Sequence, residues 1–141
     1  LVGAPGDQVD ALEAYGRELG LAFQAVDDIL GIWGDPAVTG KAVGNDLRER
    51  KKSMPVAFVL SGHDEASDRL RAIYAMDGDL TDADVARATV VIEAAGGRDR
   101  TVAEARLHLD AALDSVADVD LGDTAVAELA GLARFVAERK F

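Results

Sequence analysis

Apolar residues return at steps of three and four through almost the whole chain, the period of a helix with one buried face. Leu12, Tyr15, Leu19, Ala22, Phe23, Val26, Ile29 and Leu30 trace the longest such stripe. Gly3, Pro5 and Gly6 read as a turn ahead of it, with Asp7 as the N-cap. Gly16 and Gly20 lie four apart on one face and predict the close approach of another helix. Gly31, Gly34 and Asp35-Pro36 end the helix, and a loop is expected from about Gly34 to Asn45. A second helix starts near Ser53, with Pro55 tolerated in its first turn. Met54 to Leu60 is nearly all apolar, so this helix is expected to be buried on most sides.

Downstream, Ala66 to Met76 reads as a short amphipathic helix. Thr81-Asp82-Ala83-Asp84 opens another, stopped by Gly96-Gly97. Arg98 to Val119 carries Val102, Ala105, Leu109, Ala112, Leu113 and Val116 on one stripe. A last helix runs from Gly122 to about Arg139, with Val126, Leu129, Leu132, Ala133 and Val136 inward. About six helices with short connections and no internal repeat predict one all-α helical bundle over residues 1–141.

Composition sharpens this picture in two places. Aromatics are only 5% and the chain holds no cysteine, which favours packed helices and excludes disulfides and thiolate metal sites. His63 and His108 stand too far apart in sequence for a metal-binding spacing. The net charge of −11 argues against nucleic acid as a partner, and no apolar run is long enough for an integral membrane segment. With no secretory leader in view, a cytoplasmic protein is expected. The chain begins at Leu1 and is expected to be part of a longer one.

The chemistry concentrates between Gly20 and Pro55. Asp27 and Asp28 interrupt an apolar stripe near a helix C-terminus, where negative charge opposes the macrodipole by about 0.3–1 kcal/mol each when exposed. That placement calls for a compensating cation. Lys41, Arg48, Arg50, Lys51 and Lys52 then reverse the chain's acidic balance within a short span. Carboxylates beside a basic cluster suit an anion that arrives with its metal, such as a diphosphate with Mg²⁺. Gln24, one turn before Asp28, can border the same cleft. Asp46 is read as a group that orders Lys41 or a water shell, or that starts a turn, and only one of Lys51 and Lys52 is expected to face a site.

Phe23-Gln24-x-x-Asp27-Asp28, then Gly40-Lys41, Asp46 and Lys51-Lys52-Ser53-x-Pro55, resembles the trans-polyprenyl diphosphate synthases, the farnesyl and geranylgeranyl diphosphate synthase family. The match covers the family's second aspartate-rich motif and the lysine-bearing loop after it. The resemblance implies the C-terminal part of the isoprenoid synthase fold. It implies a prenyltransferase: Mg²⁺-dependent head-to-tail condensation of isopentenyl diphosphate with an allylic diphosphate. Asp27 would be the direct Mg²⁺ ligand, with Asp28 assisting. Lys41 and Lys51 would hold the allylic diphosphate, with Gln24 and Asp46 bordering the pocket. The basic Arg139-Lys140 resembles a tail that closes near isopentenyl diphosphate in some members. Intact members are commonly homodimers, and an N-terminal half would supply the first aspartate-rich motif.

One departure stands out. The motif is usually DDxxD, and Gly31 occupies its last place. Counting one carboxylate as missing, Gly31→Asp is expected to be tolerated, and neither Asp27→Ala nor Asp28→Ala is expected to alter stability much. Two other readings compete: a class I terpene cyclase, and a non-catalytic partner subunit. Asn45-Asp46-Leu47-Arg48-Glu49 lacks the serine that the cyclase motif needs.

Overall fold

The computed structural model describes residues 5–138, and every regular element among them is a helix. The expected Arg139-Lys140 tail and the Gly3 end of the first turn lie outside the described residues. In chain order the helices are α1 (Gly6–Trp33), α2 (Pro36–Thr39), α3 (Asn45–Arg48) and α4 (Met54–Leu60). They continue with α5 (Glu65–Tyr74), α6 (Asp82–Ala94), α7 (Gly97–Ala117) and α8 (Asp123–Ala137). The six long or strongly apolar segments form where their periodicity places them. The two extra helices, α2 and α3, are single turns inside the expected loop. Asp35 caps α2, accepting a hydrogen bond from the Ala37 amide at 2.9 Å, with Pro36 in its first turn. Gly40 closes α2 and Gly44 opens α3, both at φ near 70°, a conformation that L side chains rarely adopt.

The chain divides into two compact units. Among the described residues, one comprises residues 5–26 with 104–138, and the other Asp27–Ala103. In the second unit a core of Ile32, Leu47, Val56, Val59, Leu70, Ile73, Leu80, Val85, Ala88 and Ile92 is buried. α6 begins with a capping box: the Thr81 hydroxyl accepts from the Asp84 amide while the Asp84 carboxylate accepts from the Thr81 amide. The Thr81 hydroxyl also donates to that carboxylate, and Arg87 pairs with it. The bond from the hydroxyl foremost, and then those from the Thr81 amide and Arg87, hold the Asp84 pKa down at about 2.

In the other unit one buried cluster comprises Ala11, Tyr15, Ala112 and Val116, flanked by Leu12, Leu19, Val119, Leu121 and Leu129. Tyr15 donates from its hydroxyl to the Leu129 carbonyl at 2.6 Å. Three inward expectations fail here. Val126 and Leu132 are exposed on α8, where Ala133 and Val136 turn into the core, and Leu113 is exposed on α7, where Ala112 and Val116 are the buried positions. Phe23 is exposed as well. Nothing approaches the space where a Cβ on Gly16 or Gly20 would stand. Those glycines line an apolar groove of about 430 Å³ with Leu19, Phe23, Leu132, Phe135 and Val136.

Candidate functional site

Asp27 and Asp28 lie within the last two turns of α1, about 100° apart around it, so one can turn inward while the other stays near the surface. Asp28 is the buried one and Asp27 is half-buried. Both Asp28 oxygens are engaged. Oδ1 accepts from Lys51 Nζ at 3.0 Å, and Oδ2 accepts from the Met54 amide at 2.8 Å. The second bond caps α4. Ser53 stands at the N-cap, but its side chain makes no capping bond, and its buried Oγ has no partner. A carboxylate at a helix N-terminus is favoured both by the unpaired amide and by the dipole. The cation that offsets Asp28's unfavourable position at the end of α1 is therefore Lys51, supplied from within the fold.

Lys51 is bound a second time. Asp46 Oδ2 accepts from the same Nζ at 3.0 Å, and the Asp46 carboxylate is as buried as that of Asp28. The Lys51 backbone is fixed too. Its amide donates to the Asp46 carbonyl at 2.8 Å, and its carbonyl accepts from the Tyr74 hydroxyl at 3.2 Å. Arg50, just before it, has φ of 50°, a left-handed conformation that costs a non-glycine residue about 1–2 kcal/mol. The Arg50 guanidinium holds that turn by donating to the carbonyls of Met76 at 2.8 Å and Gly78 at 2.6 Å.

Burial alone would pull the Lys51 pKa down. The hydrogen bonds and charges of Asp28 and Asp46 outweigh it, and the pKa is raised above the ordinary lysine value. Lys51 is thus an ammonium at neutral pH, with two of its three N–H groups on carboxylates. Burial pushes the Tyr74 phenol up to about 12, with the Asp46 charge adding to the rise and Arg50 opposing it. Tyr74 accordingly stays a donor.

The cluster bears on the expectations for Asp46, for the lysine pair and for Asp28. Asp46 orders Lys51, not Lys41. Of the adjacent lysines, both exposed, Lys51 is the one brought to the aspartates. Asp28 spends its carboxylate on Lys51 and α4, so its removal is no longer expected to leave stability unchanged. Gly31 is also more than a missing acid. A Cβ at residue 31 would stand 2.7 Å from Asp46 Oδ1 and closer still to Cγ and Oδ2. Gly31→Asp would therefore require the Asp46 carboxyl group to move.

Lys41 lies exposed after α2, and among the described residues its ammonium enters no ion pair. Gln24 is exposed on α1, within the stretch that belongs to the first unit. Arg50, Tyr74 and the Met54 amide are the participants that sequence reasoning did not assign. Arg50 was visible only as part of the basic cluster, and Tyr74 gives no signal at a separation of 23 residues. No group of three or more His, Cys, Asp or Glu side chains gathers as a metal site among the described residues. No helix there is long and apolar enough to cross a membrane.

Residues 1–92 match the Polyprenyl synthetase family. A (2E,6E)-farnesyl diphosphate synthase of Mycobacterium tuberculosis is 44% identical over 99% of this chain and 40% of its own length. A geranylgeranyl diphosphate synthase of the same species is 54% identical over 63% of this chain and 25% of its own length. Among solved structures, a polyprenyl synthetase from Streptomyces coelicolor superposes with a TM-score of 0.87 at 45% identity, covering 95% of this chain and 41% of that one. A geranylgeranyl pyrophosphate synthase from Corynebacterium glutamicum, complexed with isoprenyl diphosphate and magnesium, superposes at 0.85 with 34% identity. That match covers 98% of this chain and 39% of that one. The chain spans about 40% of the length of the farnesyl diphosphate synthases it matches. By the family match over most of its length and by this likeness in fold, the chain belongs to the polyprenyl synthetase family.

Proposed function

We propose that this chain forms the C-terminal part of a polyprenyl diphosphate synthase. Such an enzyme condenses isopentenyl diphosphate head-to-tail with an allylic diphosphate in the presence of Mg²⁺. The observation that carries the reading is the immobilised ammonium of Lys51. Two buried carboxylates, a strained turn and a tyrosine hydroxyl hold it in one place, next on the chain to a helix start. A structural ion pair needs no such fixation, whereas recognition of a diphosphate oxygen gains from a donor that loses little entropy on binding.

Lys51 would donate its remaining N–H to the diphosphate of the allylic substrate. Lys41, on its exposed loop, would reach the same anion as a mobile point charge. Gln24 would contribute a neutral hydrogen-bonding group. Asp27 is the carboxylate we assign to the metal, because Asp28 is committed to Lys51 and Met54. Mg²⁺ takes one or two carboxylates when phosphate oxygens complete its shell, so this donor set fits the ion with a diphosphate and not alone. Bound in that way, the ion would draw negative charge from the departing diphosphate. The first aspartate-rich motif and the isopentenyl diphosphate site fall to an N-terminal half, and we assign the intact enzyme to the cytoplasm as a homodimer, on family resemblance.

The test is turnover by the full-length protein given labelled isopentenyl diphosphate and a short allylic diphosphate, with and without EDTA. A longer prenyl diphosphate that disappears with EDTA is expected. A cyclised hydrocarbon would instead make it a cyclase. No product alone, but product when a separate synthase subunit is added, would make it a partner subunit.

A further inference from the structure

The overlap at Gly31 joins two residues that nothing in the sequence connects. The Asp46 carboxyl group lies in the space that any side chain at residue 31 would begin to fill. It reaches there from α3, and from that position it holds Lys51 jointly with Asp28. A carboxylate does therefore occupy the place beside residue 31, but it arrives from another helix. Gly31 itself shows no left-handed φ and lies inside α1, where glycine costs about 1 kcal/mol against alanine. A helical glycine with ordinary dihedrals has no backbone reason to be glycine. Its use must lie in the volume it leaves.

We propose that Gly31 is a positioning residue: its missing side chain is the niche through which Asp46 reaches Lys51 and fixes the one ammonium N–H left for an anionic ligand. With a side chain at 31, Asp46 must swing away. Lys51 then keeps Asp28 alone and its ammonium gains freedom. The deeper part of this inference, that the anion is a diphosphate, rests on the proposed function. The link between Gly31 and Asp46 does not.

Two measurements on the full-length protein separate these parts. The first is a melting cycle of wild type, Gly31→Ala, Asp46→Ala and the double variant. Alanine at 31 should lower the melting temperature in the wild type. In the Asp46→Ala background, where the niche is empty, it should leave that temperature unchanged or raise it. Equal losses in both backgrounds would overturn the niche. The second is calorimetric titration with inorganic pyrophosphate at saturating Mg²⁺. Gly31→Ala should weaken binding roughly fivefold to tenfold, the scale of one charge-assisted hydrogen bond. In a Lys51→Met background the same substitution should have no further effect. If Gly31→Ala weakens binding equally without Lys51, or leaves it unchanged with Lys51 present, Gly31 does not act through that lysine. If the wild type does not bind pyrophosphate at all, the diphosphate reading fails, and the melting cycle still decides the niche.

Discussion

The two units of this chain are built on different terms. Among the described residues the Asp27–Ala103 unit buries twelve hydrophobic residues, only one of them alanine, and sets a polar clamp of Asp28, Asp46 and Lys51 in the same unit. Among the described residues the other unit, built from the N-terminal part of α1, most of α7 and α8, buries eleven, six of them alanines, and leaves Phe23, Leu132 and Phe135 in the open. Each places an apolar stripe on its longer helices, so the difference does not come from patterning. It comes from branching and bulk. Ile32, Leu47, Val56, Leu70 and Ile92 fill space from several helices, whereas alanine contacts leave the larger neighbours outward. The lesson is that the charged clamp sits in the unit whose buried side chains are large and branched. A clamped lysine holds its position only if the elements under it do not move.

Core substitutions provide the sharpest way to break that contrast. Leu70→Ala in the well-filled unit should cost about 3 kcal/mol, since Leu70 is fully buried. Phe135→Ala, at a residue 68% exposed, should stay within about 0.5 kcal/mol. Urea denaturation of both variants checks this. Equal losses would mean that the exposed face of α8 is covered in the protein as it exists.

The clamp itself should respond next. Asp28→Asn removes an acceptor from either Lys51 or the Met54 amide and takes away the charge, for a loss of about 2 kcal/mol. Its half-buried neighbour should behave oppositely. Asp27→Asn should change stability by less than about 0.5 kcal/mol but lower kcat about a hundredfold in the full-length enzyme. Melting curves and steady-state rates on the pair would sharpen the division between a carboxylate that holds the fold and one that serves the reaction. Comparable effects of the two substitutions on both readouts would dissolve it.

A smaller effect belongs to the Asp84 capping box. Its folded pKa of about 2 lies below the ordinary 3.8. A carboxylate with a depressed pKa stabilises the fold above its unfolded pKa, and that contribution is lost as pH falls from about 4 towards 2. The melting temperatures of wild type and Asp84→Asn should therefore differ at pH 6 and converge as pH approaches 2. A gap that stays constant over that range would assign the stabilisation to Thr81 geometry instead of charge.

Much of this fold is legible in the order of its residues. The α1, α4, α5, α6, α7 and α8 segments carry enough turns for their period to show, and Thr81-x-x-Asp84 and Gly96-Gly97 mark two of their boundaries. The single turns α2 and α3 are not legible, because four residues hold no period. The same limit hides the site's construction. The residue pattern points to Asp27, Asp28, Lys41, Asp46 and Lys51 as one chemical neighbourhood. It does not say which aspartate turns inward, because adjacent residues on a helix differ only in angle.

What the sequence determined by itself was the all-α class, the existence of the six longer or strongly apolar helices and the stock of charge between Gly20 and Pro55, because these depend on neighbours a few residues apart. The expected Asp7 N-cap is misplaced, since Asp7 lies inside the first turn of α1. Tertiary structure alone decided that Lys51 is the clamped lysine, that Tyr74 and Arg50 hold it, and that the space at Gly31 belongs to Asp46. Those contacts join residues separated by as many as 28 positions, and their existence rests on how the helices pack. A local pattern can show that a carboxylate is absent from one place, but only the packed chain shows another arriving there.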